Sequence, residues 1–255
     1  MKMLSFLREK KDTDLDSSET TLLHRKIILR KSFLRKLYIN WYKLLLEKVP
    51  ENVTSEIVEI GSGGGFIKTI NSKIITSDIL EGVDCDMTFS AEALPFKDNS
   101  LDAILMIDVL HHLPDCRKFF REASRALRPG GKIIMIEPAN TTFSKFIYRN
   151  FHHEYFNPDA KEWSFLTSGP LSGANGALPW IIFKRDYSSF RRLFPNLHCE
   201  SIVFHTPFAY LVSGGLSYKS MLPGWSYGII KSFETLISPL NRWIAMFQTI
   251  TVHKI

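Results

Sequence analysis

The sequence has no stretch of eighteen uninterrupted apolar residues, which argues against a polytopic membrane protein. Met1 to Thr21 carries Lys10, Lys11, Asp12, Asp14 and Asp16 where a secretion signal needs an apolar core, so a cytoplasmic location is expected. Cysteine is scarce: Cys85, Cys116 and Cys199 lie far apart, without the paired spacing of a zinc site or the density of a disulfide scaffold. No internal repeat and no recognisable nucleic-acid-binding module is visible, and no nucleic-acid partner is expected. Acids are nearly missing from one segment. Between His24 and Lys48, Arg25, Lys26, Arg30, Lys31, Arg35, Lys36, Lys43 and Lys48 stand against Glu47 alone.

What is present suits one folded α/β unit. The 255 residues are 45% hydrophobic and 23% charged, close to an ordinary globular chain, with a net charge of +6. Residues 1–23 read as a flexible polar segment. Residues 24–50 read as one basic amphipathic cover helix, because Ile27, Leu34, Tyr38, Trp41 and Leu45 recur at helical spacing before Pro50. Such a helix is suited first to packing on a core and second to a peripheral contact with an anionic membrane face.

From residue 51 onward, short apolar runs alternate with helical stretches, the pattern of a parallel sheet wrapped by helices. The expected strands are Glu56 to Ile60, Lys73 to Ser77, Asp86 to Phe89, Asp102 to Ile107 and Lys132 to Ile136, with His198 to His205 and Phe247 to His253 near the end. Asp115 to Leu127 reads as a helix stopped by Pro129-Gly130-Gly131, and Trp225 to Ile237 as a second. Residues 138–197 and 207–243 are less regular and read as insertions on the acceptor side. Within them, the small-residue stretch from Ser168 to Trp180 is long for a loop in a compact chain.

The central motif is Ile57-Val58-Glu59-Ile60-Gly61-Ser62-Gly63-Gly64-Gly65-Phe66, an apolar strand running into a glycine turn. Glycines let the backbone bend sharply and a cofactor approach the main chain. The dinucleotide pattern G-x-G-x-x-G/A fits in no register here, which argues against NAD. Instead, Glu59-x-Gly61-x-Gly63-x-Gly65 resembles the first motif of class I S-adenosylmethionine (SAM)-dependent methyltransferases. The other elements follow in order. Asp78 closes the second strand; Ser90-Ala91-Glu92-Ala93-Leu94-Pro95-Phe96 resembles the family's D-A-x-x-L-P-F element, with Ser90 where an aspartate is usual; Leu101 to Pro114 resembles the fourth motif; and Leu127 to Lys132 resembles the turn before the fifth strand. Together they cover about residues 54 to 138, and the closest likeness is to the type 11 group. The amino-methylating DNA enzymes' Asn/Asp-Pro-Pro-Tyr/Phe motif is not at the fourth strand.

The resemblance implies a Rossmann-like class I methyltransferase fold: a mostly parallel seven-stranded sheet, helices on both faces, and a C-terminal insertion or lid. It implies SAM as cofactor, S-adenosylhomocysteine as product, and a cofactor site of Glu59, Gly61, Ser62, Gly63, Gly65, Asp78, Ile79, Ser90, Ala91, Glu92, Ile107 and Asp108. Asp78 would take the ribose hydroxyls, Ile79 the adenine face, and Asp108 the methionine end or a neighbouring base. A sulfonium methyl is already electrophilic, so no metal is expected; a hydroxyl acceptor needs a base. His111 and His112 are the catalytic candidates, with helix capping as the alternative role for either imidazole. His152, His153, Tyr155 and Trp180 are candidate acceptor contacts, and adjacent His152 and His153 on a helix do not make a metal site. The expected acceptor is a small molecule or a lipid-linked one, most simply a hydroxyl of a sugar or glycolipid in surface polysaccharide synthesis. Two other readings stay open: a quinone or isoprenoid methyltransferase, and a non-catalytic partner module with this fold.

Overall fold

The structure is a computed structural model, and it describes residues 14, 16–152, 154–167, 169 and 171–255. Seven strands form one sheet: β1 (Glu56–Ile60), β2 (Ile75–Asp78), β3 (Met87–Thr88), β4 (Leu101–Ile107), β5 (Leu127–Pro138), β6 (Leu197–His205) and β7 (Phe247–Lys254). Their order is β3-β2-β1-β4-β5-β7-β6. The first five run parallel, and β7 pairs antiparallel with both β5 and β6. The alternating pattern implied the parallel part of this sheet, and the family resemblance its seven mostly parallel strands.

Burial explains the order. β4 is buried at every position from Leu101 to Met106, as a central parallel strand covered on both faces must be. β3 is only two residues long and closes one edge. Helix α3 (Cys116–Ala126) returns the chain from β4 to β5. Asp115 caps it by accepting the Arg117 and Lys118 N–H groups at 2.9 and 3.4 Å, and Phe119, Phe120, Ala123 and Ala126 are buried. Strand β5 begins at Leu127, five residues before the expected start. Leu101 pairs with Leu127 and Ala103 with Lys132, so Arg128 to Gly131 bulge out of the ladder around Gly130, whose φ is +79°.

The basic N-terminal stretch differs from its sequence reading in two ways. It is two helices, α1 (Ser18–Arg30) and α2 (Ser32–Leu46), and the first starts inside the segment read as flexible. Ser17 caps α1 by accepting the Thr20 N–H at 3.2 Å. The break at Lys31 has a tertiary cause: its backbone is extended (φ −79°, ψ 95°), while its ammonium donates to the carbonyls of Gly215, at 2.8 Å, and Tyr218. The apolar face of α2 is packed into the core. Leu34, Leu37, Trp41 and Leu45 are wholly buried, Trp41 lies 4.7 Å from Phe247 between ring centroids, and its indole N–H donates to Thr206 Oγ1 at 3.3 Å.

The two less regular segments are helical. α4 (Thr142–Phe151) follows β5, capped reciprocally by Thr141 and Ser144. A short α5 (Leu178–Trp180) runs into a π-helical turn (Ile181–Arg185) and then α6 (Tyr187–Leu193). Between β6 and β7 lie α7 (Ala209–Ser213), α8 (Tyr227–Leu236) and α9 (Asn241–Ile244).

Candidate active site

The strand order reverses between β1 and β4, and ligands of doubly wound sheets sit at the carboxyl ends of the strands at such a point. The glycine turn leaves β1 there. Gly61 has φ +67°, and a Cβ on it would come within 2.5 Å of Val109 Cγ2. Gly65 is held against α2: a Cβ would run into the Tyr42 hydroxyl, which accepts the Phe66 N–H at 3.1 Å. Ser62 bridges the first two strands, its hydroxyl donating to the Glu59 carbonyl at 3.3 Å and accepting the Ser77 N–H at 3.2 Å.

Two carboxylates face this turn. Asp78 ends β2 and accepts the N–H groups of Gly63 and Leu80, each at 3.0 Å; burial raises its pKa, and those bonds oppose the rise. Glu59 is almost completely buried. Burial pushes its pKa up to about 7 against hydrogen bonds from Ser62 and Tyr42, and its Oε2 has no partner. Helix α1 forms the outer wall. Thr21 lies beside Asp78 with its buried hydroxyl also unpartnered, and Arg25, His24 and Ile28 close over Gly64. Three unsatisfied or partly satisfied oxygens around a turn without side chains fit a polar cofactor carrying hydroxyls and positive charge.

Ile79 is 46% exposed beside Asp78, as a residue lying on a flat ring would be. Ser90 accepts the Glu92 N–H at 3.1 Å, and Ala91 is buried. Glu92 has partners within the fold. Its carboxylate accepts the Asp115 N–H at 2.8 Å and pairs with Lys118 at 3.4 Å, which ties this loop to the start of α3.

Beyond Ile107 the chain turns at Asp108, whose φ of +55° is unusual for a residue with a side chain. Its N–H donates to the Ile136 carbonyl at 2.9 Å. Burial raises its carboxyl to about 8; His111 opposes the rise, and Glu137 and Glu154 add to it. The short 3-10 turn Leu110–His112 then places the two imidazoles in different surroundings.

His111 is buried, its Nδ1 2.6 Å from Glu137 Oε2 and its Nε2 3.4 Å from Glu154 Oε2. Burial favours its neutral form, but the two carboxylates outweigh burial and hold it protonated. The other oxygen of Glu137 accepts the N–H groups of Val109 and Leu110 at 2.9 and 2.7 Å. His112 instead has Nδ1 3.0 Å from the Gly173 carbonyl, which can only accept, so Nδ1 carries the proton and Nε2 the lone pair. Burial and the neighbouring His111 cation depress its pKa, and Nε2 lies 3.8 Å from Glu154 Oε1. Burial works to raise the Glu154 pKa, but the surrounding histidines, His111 foremost, bring it far below the usual carboxylate range.

The long loop supplies part of this cluster, since Gly173 orients His112 and the Asn175 N–H donates to the His111 carbonyl at 2.9 Å. Asp16 fastens the same loop by accepting the N–H groups of Leu171 and Ser172 at 2.6 and 2.9 Å. Of the expected acceptor contacts, His152 joins the cluster, with Nδ1 3.7 Å from Glu154 Oε2. His153 lies outside the described residues. Tyr155 is exposed, and its hydroxyl accepts from Asn157 at 2.9 Å. Trp180 packs partly buried against the core. The sequence reading missed Glu137, Tyr42 and the loop carbonyl. Glu137 had a local signal, as a lone acid closing an apolar strand. His111, His112 and Glu154 bring ligand atoms within 4.8 Å of one another, as do Asp108, His111 and Glu137, but a protonated His111 has no lone pair for a metal, so the grouping suits a proton relay.

Residues 58–135 match the family model described as "Methyltransferase domain". Over these residues the chain resembles that domain, and its sheet has the class I methyltransferase fold. Domains of this family use SAM as the methyl donor. Similar curated proteins include the ubiquinone/menaquinone biosynthesis C-methyltransferases UbiE of Rickettsia bellii (strain OSU 85-389) and Rickettsia typhi. The first is 30% identical over 123 residues, 38% of this chain and 49% of that protein. The second is 30% identical over 144 residues, 45% and 56%. The chain thus spans about half the length of the curated relatives it matches. Among solved structures, a geranyl diphosphate C-methyltransferase from Streptomyces coelicolor A3(2) aligns over 98% of this chain and 90% of its own, with a TM-score of 0.50 and 13% identity. A SAM-dependent methyltransferase from Thermotoga maritima aligns over 93% and 94%, with a TM-score of 0.52 and 16% identity. At these identities the structural likeness shows the methyltransferase fold alone.

Proposed function

We propose that the protein transfers the methyl group of SAM to a hydroxyl of a small or lipid-linked acceptor, with His112 taking the hydroxyl proton. The observation that carries this reading is the asymmetry of the histidine pair. His111 is clamped between Glu137 and Glu154, with both ring nitrogens engaged, whereas His112 is held neutral with its Nε2 lone pair on the Glu154 side. Bound SAM would supply an electrophilic methyl. Asp78 would accept from the ribose hydroxyls, and the unpartnered oxygen of Glu59 would face positive charge. Glu154 stabilises the imidazolium formed when His112 accepts a proton, because its carboxylate stands on the Nε2 side. A base with a depressed pKa stays unprotonated at neutral pH, ready for that step.

Within that class, the acceptor we propose is a hydroxyl of a sugar or glycolipid. The names of the curated relatives favour a second reading, transfer to carbon of a quinone precursor or an isoprenoid. Labelled SAM incubated with purified protein and a fractionated cell extract distinguishes them. A methyl ether in the labelled product supports the hydroxyl reading, and a methyl on carbon replaces it with the second. SAM binding without turnover on any fraction would point to a non-catalytic module.

A further inference from the structure

We propose that α8, α9 and the exposed side of α4 form a docking surface for an anionic lipid bilayer. Among the described residues no helix is long and apolar enough to cross a membrane, and the contact proposed is with the bilayer surface. The basic helix α2 is not that contact, because Trp41, Leu34, Leu37 and Leu45 are spent in the core.

A different face carries the exposed apolar groups. On α8, Ile229, Phe233 and Leu236 are 63%, 48% and 78% exposed at helical spacing, opposite a face whose Glu234 is buried. Trp225 precedes the stripe at 74% exposure, and Leu240 and Trp243 extend it through α9. α4 contacts α9 and adds exposed Phe146 and Phe151, and the ring contacts Phe233–Phe208 and Phe208–Phe143 join α8 to α4. Exposed apolar side chains gathered on neighbouring helices in this way mark an interaction site.

Charge identifies the partner. From Thr206 to Ile255 the only acid is Glu234, and its carboxylate is turned inward, accepting the N–H groups of Phe208 and Ala209 at 3.0 and 2.8 Å. From Ala139 to His152 there is no acid at all. The charged groups that these two segments themselves contribute are otherwise cations, among them Lys219, Arg242, Lys145 and Arg149, with Lys231 paired to the buried Glu234 and Arg242 stacked 3.6 Å over the Trp243 ring. A second copy of this chain would set cations against the same cations with no carboxylate between them. An anionic bilayer offers acyl chains to the apolar stripe, headgroups to the cations, and the interfacial depth that tryptophan prefers. α4 leads from β5 to the His152 and Glu154 side of the active site, so a protein seated this way holds that site close to the membrane plane.

The test uses the full chain with phosphatidylcholine vesicles, with and without about a third phosphatidylglycerol, read by co-sedimentation and tryptophan emission. The expected result is partitioning onto the anionic vesicles with a blue shift, weakened by salt. A triple variant, Trp225→Ser with Ile229→Ser and Leu236→Ser, should lose at least about tenfold in partitioning. These side chains are exposed, so its melting curve and SAM affinity should match wild type, which separates this result from the fate of the catalytic reading. Two results overturn the proposal: vesicle binding unchanged in the triple variant, or no vesicle binding together with a dimer that the triple variant abolishes.

Discussion

Replacing Glu59 by Gln should stabilise the cofactor-free protein above neutral pH and weaken its hold on SAM. Glu59 is buried, its Oε2 lacks a partner, and burial raises its pKa from 4.5 to about 7. A carboxyl whose folded pKa exceeds its unfolded value favours folding only while it is protonated. Its contribution therefore declines as pH rises from about 4.5 to about 7 and is flat beyond. At 1.4 kcal/mol per unit, the loss comes to roughly 3 to 4 kcal/mol over that interval. Glutamine has the shape of the protonated acid and cannot ionise, so the variant lacks this slope. Urea denaturation of both proteins at several pH values measures it. The variant's advantage should grow between about pH 4.5 and 7 and then level off. Asp108, raised to about 8 in the same way, tilts both curves alike, so the difference between them isolates Glu59. SAM affinity should rise with pH in the wild type as the carboxylate forms, and stay flat and lower in the variant. Two stability curves that run parallel across the range would refute the burial argument.

Other expected outcomes are equally specific. Asp78→Ala should weaken SAM binding by about 1.5 to 3 kcal/mol in calorimetry, and Asp78→Asn by less, since an amide oxygen can still accept from Gly63; equal affinity in all three proteins would remove Asp78 from the site. Trp41→Ala should cost roughly 3 to 5 kcal/mol in denaturation, because its ring is buried against Phe247 and Tyr210, and a near-silent result would mean that α2 is not part of the core. His112→Ala should lower turnover by roughly 10²- to 10⁴-fold while SAM affinity barely changes. If turnover with an identified acceptor stays near wild type, the base lies elsewhere.

The central sheet was legible because its signals are local. β1 and β4 are apolar runs bounded by turn residues, and the expected limits of β1 are those observed. α3 was legible for the same reason: Asp115 supplies a cap and the phenylalanines an apolar face. What failed depends on distant parts of the chain. An apolar periodicity running from Ile27 to Leu45 gives no sign of a break, and Lys31 breaks it because carbonyls nearly two hundred residues away take its ammonium. The early start of β5 fails likewise, since a bulge at Gly130 is fixed by pairing with Leu101 and Ala103.

The candidate site divides along the same line. The glycine turn, Asp78 and the histidine pair stand close to strand ends, and a sequence shows strand ends well. The division of labour within the pair could not be read from Leu110-His111-His112-Leu113, because neither imidazole's partner is near in sequence. His111 meets Glu137 across the pairing of β4 with β5, in which Ile107 lies opposite Ile136, and this register sets the two strand exits side by side. His112 meets Gly173 only because the long loop folds back, held by Asn175 on one side and Asp16 on the other. A carboxylate partner favours an imidazolium, whereas a backbone carbonyl only fixes which nitrogen holds the proton. Two identical residues in succession thus acquire opposite electrostatic character, and the proposal of His112 as base rests on what the second half of the chain brings to each ring.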